Sequence, residues 1–189
     1  MASIASMSRR QALVLPVMAG ASAALADAAA SEVLVAYFTR TGNTRLIATQ
    51  ISRALKGTLS QIVPVEPYPE DYEAQVAQAE DERQRGYRPP LREHVPGLQG
   101  YKTVFLGFPI WGMTAPAIIR TFLAEHDLSG KTLVPFITHG GYGLGNSLDV
   151  VAQHAPSARL AEAWSKECDQ ERETLRQVTE WLGRIDVMP

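Results

Sequence analysis

The chain contains a single cysteine, Cys168, among 189 residues, so no disulfide can form within it. Its longest apolar stretch, residues 12–26, is interrupted by Pro16 and Gly20 and is too short to span a bilayer. Neither sign of charge dominates: 18 Lys and Arg stand against 20 Asp and Glu, which gives no basic surface and no case for nucleic-acid binding. The four histidines, His94, His126, His139 and His154, fall at no metal-ligand spacing with one another or with the cysteine, so no metal centre is expected. His139-Gly140-Gly141 has the form of a lipase oxyanion segment, but the Gly-x-Ser-x-Gly elbow that would supply a nucleophile is missing. Residues 140–147 nearly spell a triphosphate loop, with Asn146 where the lysine is required. No Gly-x-Gly-x-x-Gly follows the first strand-like run, so the dinucleotide fingerprint is absent too. There is no internal repeat, and the one alanine-rich tract lies near the N-terminus.

That tract belongs to residues 1–30, which read as an export signal of the twin-arginine type. Arg9 and Arg10 precede a weakly hydrophobic core and a run of small residues, with small-x-small cleavage possible after Ala26 or Ala28. The expected location is periplasmic, or otherwise extracytoplasmic, in a bacterium, with no stable membrane span once the signal is removed. Removal of Arg9, Arg10 and Asp27 leaves 16 basic and 19 acidic residues in 31–189, a length suited to one domain. Cys168 has Lys166 nearby and no partner for chemistry, and reads as incidental.

Apolar strand-like runs occur at residues 33–38, 59–65, 103–108 and 132–138, separated by helix-like segments. This alternation predicts a parallel sheet with helices on both faces. Residues 44–56 place Ile47, Ile51, Ala54 and Leu55 on one helical face, residues 115–126 carry Ile118, Ile119, Phe122 and Leu123, and residues 170–185 line up Leu175, Val178, Leu182 and Ile185. Residues 70–85 form a polar helix bracketed by prolines, whose thin stripe of Tyr72, Val76 and Ala79 suggests a solvated connection on the flank of the sheet. A fifth strand is weakly marked, residues 160–164 being its best position.

Three blocks each follow a strand-like run. In the first, Thr39, Arg40, Thr41, Gly42, Asn43 and Thr44 open a helix. Helix N-termini carry free N–H groups and partial positive charge, hydroxyl and amide side chains add donors, and glycine lets the backbone come close, so this turn suits one phosphate group. The second block, residues 107–116, contains Pro109, Ile110, Trp111, Gly112 and Met113: an indole able to stack on a planar ring, in a loop shaped by proline and glycine. The third, residues 138–145, contains Thr138, His139, Gly140, Gly141, Tyr142 and Gly143, a glycine-rich segment whose amides could reach a ligand edge around one aromatic ring.

Together these blocks resemble flavodoxins, and the resemblance covers residues 32 to about 155. It implies a doubly wound five-stranded α/β sheet of order 2-1-3-4-5, for which flavodoxin itself is a standard illustration, with FMN at the switch between the first and third strands. It further implies that residues 39–44 hold the FMN phosphate, that Trp111 and Tyr142 cover the ring faces, and that Gly112 belongs to the peptide that meets flavin N5. Amides of the third block would then stabilise charge on the reduced ring. Trp-Gly-Met stands where many flavodoxin-like relatives have Trp-Trp-Gly, so the second aromatic of that block is missing. The function so implied is electron transfer outside the cytoplasm with a redox protein or a small-molecule electron donor or acceptor, and no catalytic acid or base is named. Two other functions fit the same residues: an FMN-dependent NAD(P)H:quinone-type oxidoreductase, and a cofactor-free binding module of flavodoxin shape.

Overall fold

Alternation along each strand sets the layers. In β1 (Val33–Tyr37), Val33, Val35 and Tyr37 point to one face of the sheet, while Leu34, Ala36 and the following Phe38 point to the other. β3 (Thr103–Pro109) and β4 (Thr132–His139) do the same, so these strands are buried on both sides, as the centre of a parallel sheet must be. The computed structural model describes residues 31–167 and 171–185, with the backbone alone for 171–175. The export signal expected at residues 1–30, Cys168 and the side chain of Leu175 lie outside the described residues.

The remaining elements are α1 (Asn43–Leu55), β2 (Thr58–Gln61), α2 (Tyr72–Arg85), α3 (Ala117–Glu125), α4 (Ser147–His154), β5 (Arg159–Leu160), β6 (Trp164–Glu167) and α5 (Glu171–Leu182). The sheet runs β2-β1-β3-β4-β5, every ladder is parallel, and β6 also pairs with β4. The expected order is therefore present. Ile47, Ala48 and Ile51 of α1, with Val178 and Trp181 of α5, cover one face. Ile118, Ile119, Phe122 and Leu123 of α3, with Val150 and Val151 of α4, cover the other. Gly107 is needed in β3 because the Phe136 ring lies across it: a Cβ there would come within 2.0 Å of that ring.

The fifth strand differs from its expected form. Instead of one strand at residues 160–164, two short pieces take in the two ends of that segment, and the chain gains one residue on β4 between the pairs Leu133↔Leu160 and Phe136↔Trp164. The cause lies in β4. Arg159 N–H donates to Lys131 C=O at 2.8 Å and Ala161 N–H to Leu133 C=O at 2.9 Å, so alternate β4 residues face this strand, and the next of them is Pro135. Proline has no N–H to offer, and the ladder bulges where it is missing. β2 also ends earlier than its apolar run: beyond Ile62 the chain turns to an antiparallel contact between Pro64 and Leu91.

Candidate functional site

β1 delivers the first block to the top of the sheet. Gly42 takes φ +96° as N-cap of α1, a conformation that favours glycine, and its N–H is held by Thr39 Oγ1 at 3.1 Å. The first helical bond runs from Leu46 N–H to Gly42 C=O at 3.0 Å, and no side chain caps the helix. The N–H groups of Asn43, Thr44 and Arg45 thus lack helical acceptors and converge at the positive end of the helix. Arg45 brings a guanidinium near Gly42, since a Cβ on that glycine would lie 3.8 Å from it. The geometry is that of an anion cradle.

Thr44 itself is buried, and its hydroxyl meets that of Thr138 at 2.9 Å, joining the start of α1 to the end of β4. Two hydroxyls sharing one bond keep one proton free for another acceptor. Arg40 turns sideways: its Nη2 donates to Glu70 C=O at 2.6 Å and its guanidinium lies 5.9 Å from the Tyr72 ring centre. Its Nε is buried in the wall with no protein partner.

β3 ends in a tight turn. Trp111 and Thr114 exchange backbone hydrogen bonds at 3.0 and 3.3 Å, and the two residues between them, Gly112 (φ +56°) and Met113 (φ +63°), are both left-handed, as in a type I′ turn. The third block clamps this turn from the side. Asn146 N–H donates to Met113 C=O at 3.0 Å, and a Cβ on Gly145 would come within 1.9 Å of that carbonyl oxygen. The Met113–Thr114 peptide is therefore pinned, whereas the adjoining Gly112–Met113 peptide has no such clamp. Trp111 packs edge-on against Phe38 at 5.2 Å and Tyr68 at 4.7 Å.

These pieces enclose a cleft of about 470 Å³, within the usual range for a small-molecule site. It gathers Thr39, Arg40, Thr41, Asn43 and Thr44 from the first block, Pro109, Ile110, Trp111 and Gly112 from the second, and Thr138, His139 and Gly140 from the third. Gly42, Met113, Gly141, Tyr142 and Gly143 do not line it. Tyr142 stands 81 % exposed, and the Gly141 N–H is taken by His139 Nδ1 at 3.2 Å.

The far wall was not foreseen. Tyr72, Gln75, Val76, Ala79, Glu80 and Arg83 of α2 line the cleft, so the thin apolar stripe of that largely exposed helix also forms one wall of it. α2 is anchored through polar groups instead: Glu82, 3 % exposed, accepts from the Tyr68 hydroxyl at 2.8 Å and from Gln78 Nε2 at 2.9 Å. Burial, reinforced by that carboxylate, pushes the Tyr68 phenol well above its usual range. The spacing of residues 72, 76, 79 and 83 was the available signal, since those positions share one helical face.

Among the described residues, no cluster of three or more His, Cys, Asp or Glu could hold a metal, and no helix is long and apolar enough to cross a membrane. The family model for flavodoxins matches residues 32–185. A candidate flavoprotein from Bacteroides eggerthii is 34% identical, with a TM-score of 0.70, the match covering 80% of this chain and 95% of that one. A second from Bacteroides uniformis is 29% identical at a TM-score of 0.73, covering 82% and 99%. A flavoprotein from Lactobacillus acidophilus, solved in complex with FMN, is 18% identical with a TM-score of 0.65 and coverage of 79% and 99%. No curated protein matches the chain.

Proposed function

The chain belongs to the flavodoxin family, and we propose that it binds FMN noncovalently in the cleft above β1, β3 and β4 and passes electrons outside the cytoplasm. One observation carries this reading: three blocks, at residues 39–44, 107–116 and 138–145, meet in a single cleft, and its β1 end is an uncapped helix N-terminus with free N–H groups. FMN has one terminal phosphate, and residues 39–44 offer it N–H groups and hydroxyls. The FMN-bound flavoprotein of Lactobacillus acidophilus shares the fold.

Bound FMN supplies the redox chemistry, and the protein supplies position and electrostatics. Trp111 borders the ring space, Gly112 offers a peptide free to reorient toward flavin N5, and Thr138, His139 and Gly140 close the edge at β4. Residues 1–30 direct the chain through the twin-arginine route to a periplasmic or similar compartment, as Arg9 and Arg10 ahead of a short weakly apolar core would do.

Purified chain lacking residues 1–30 is expected to take up FMN stoichiometrically and to show the flavin band near ~450 nm. A cleft that binds no FMN in a fluorescence titration would overturn the assignment and leave the cofactor-free module. Gly42→Leu with Thr44→Ala should weaken FMN far more than Cys168→Ala. A reporter fused behind residues 1–30 should reach the periplasm, and Arg9→Lys with Arg10→Lys should block it.

A second reading, an FMN-dependent NAD(P)H:quinone-type oxidoreductase, draws on Tyr142, which stands away from the cleft and leaves a ring face open. Stopped-flow mixing of the holoprotein with NADH or NADPH separates the two: rapid bleaching selects the enzyme, and its absence selects the carrier.

A further inference from the structure

Arg83 on α2 and Arg120 on α3 converge on the 111–114 turn, and among the described residues no acid lines the pit that they share. Arg83 lies directly over Gly112, where a Cβ would come within 2.3 Å of its guanidinium. Arg120 Nη2 reaches Thr114 Oγ1 at 3.3 Å, and its Nε is buried with no partner. Both arginines, with Trp111 and Thr114, line a pit of about 10 Å³ beside the main cleft, room for roughly one oxygen-sized group. Arg83 has one ion pair, to Glu80 at 3.8 Å between largely exposed side chains, and among the described residues Arg120 has none. Burial and then the charge of Arg83 lower the proton affinity of Arg120, so the two cations feel each other.

The two guanidiniums repel, the exposed Glu80 offsets only the charge of Arg83, and a buried Nε without an acceptor is costly; an oxyanion placing one oxygen in the pit would relieve both. The phosphate of FMN is not that anion, because its cradle lies at residues 39–44, at the β1 end. An acidic protein surface is a poor fit to a recess of one atom's width. We propose that Arg83 and Arg120 form an oxyanion subsite at the ring end of the cleft, holding the sulfonate, carboxylate or phosphate group of a small redox substrate beside Gly112. This rests on the FMN reading above and deepens it by naming the substrate class.

The test uses the FMN-loaded protein and its Arg120→Gln and Arg120→Lys variants, each first shown to retain flavin. Redox-inert naphthalene-2-sulfonate is titrated against the flavin absorption band. A saturable shift in the wild type, weakened at least fivefold by Arg120→Gln and less by Arg120→Lys, is expected; no saturable shift overturns the proposal. Dithionite-reduced protein is then mixed with 1,4-naphthoquinone-2-sulfonate or 1,4-naphthoquinone, each turnover moving two electrons and two protons from the reduced flavin to give the quinol. Oxidised protein is mixed in parallel with NADPH or NADH. Preference for the more anionic member of either pair identifies the source of the oxyanion, and Arg120→Gln should reduce that preference at least fivefold. Equal rates within both pairs, or equal losses for both members, refute the subsite. A wild-type chain that takes up no FMN overturns the underlying reading and is recognised before either measurement, because the protein is colourless.

Discussion

Thr44 and Thr138 join their hydroxyls at 2.9 Å in a buried position, linking the turn at residues 39–44 to the end of β4 across 94 residues of sequence. The contact ties two of the three blocks together without the ligand. Replacing either residue by valine leaves its partner buried without its bond, at a cost of about 1–2 kcal/mol. Chemical denaturation should show Thr44→Val and Thr138→Val each destabilising, with the double variant clearly less destabilised than the sum of the two.

Gly145 sits against the Met113 carbonyl so closely that no Cβ fits. Gly145→Ala must push the third block away from the 111–114 turn and release the Asn146 N–H. FMN affinity is expected to fall at least about tenfold, or ~1.4 kcal/mol, as read by flavin-fluorescence titration. Gly100→Ala, where a Cβ meets open space away from the cleft, should change it much less.

Tyr68 and Glu82 share a hydrogen bond that anchors α2 over the cleft. Tyr68→Phe strips the buried carboxylate of one of its two side-chain donors and is expected to destabilise the protein by roughly 1–3 kcal/mol. Because α2 forms the far wall, FMN affinity should fall in parallel. Unchanged affinity despite the lost stability would show that the wall is held by other contacts.

His126 is buried, donating from Nδ1 to Phe122 C=O and accepting at Nε2 from Val95 N–H at 3.0 Å, an arrangement available only to the neutral ring. Burial lowers its proton affinity, and the nearby His94 lowers it further, while the Phe122 carbonyl and Glu125 oppose this. The unfolded ring titrates near ~6.5. Below that value the unfolded chain binds the extra proton first, so the contribution of His126 to stability falls as pH drops through about 6.5 toward the depressed folded value, and is constant above it. Denaturation midpoints measured between about pH 5 and 8 should show this slope, and His126→Gln should flatten it.

Much of this was legible in the chain. The β1, β3 and β4 runs and the three blocks behind them gave order and convergence, because residues just past parallel neighbouring strands must meet at one end of the sheet. What escaped depends on contacts distant in sequence. The wall formed by α2 was hidden because the helix is held through a polar residue, Glu82, whose partner Tyr68 lies outside it. The split fifth strand follows from Pro135 on its neighbour, not from its own residues. Arg83 and Arg120 lie 37 positions apart on different helices, and no local pattern brings them together.

The missing N–H of Pro135 reaches beyond the ladder it interrupts. A foreign strand laid along this border of the sheet could stay in step for only a few residues before losing register. That makes the border a poor template for self-association, a useful property in a sheet whose opposite border is the four-residue β2.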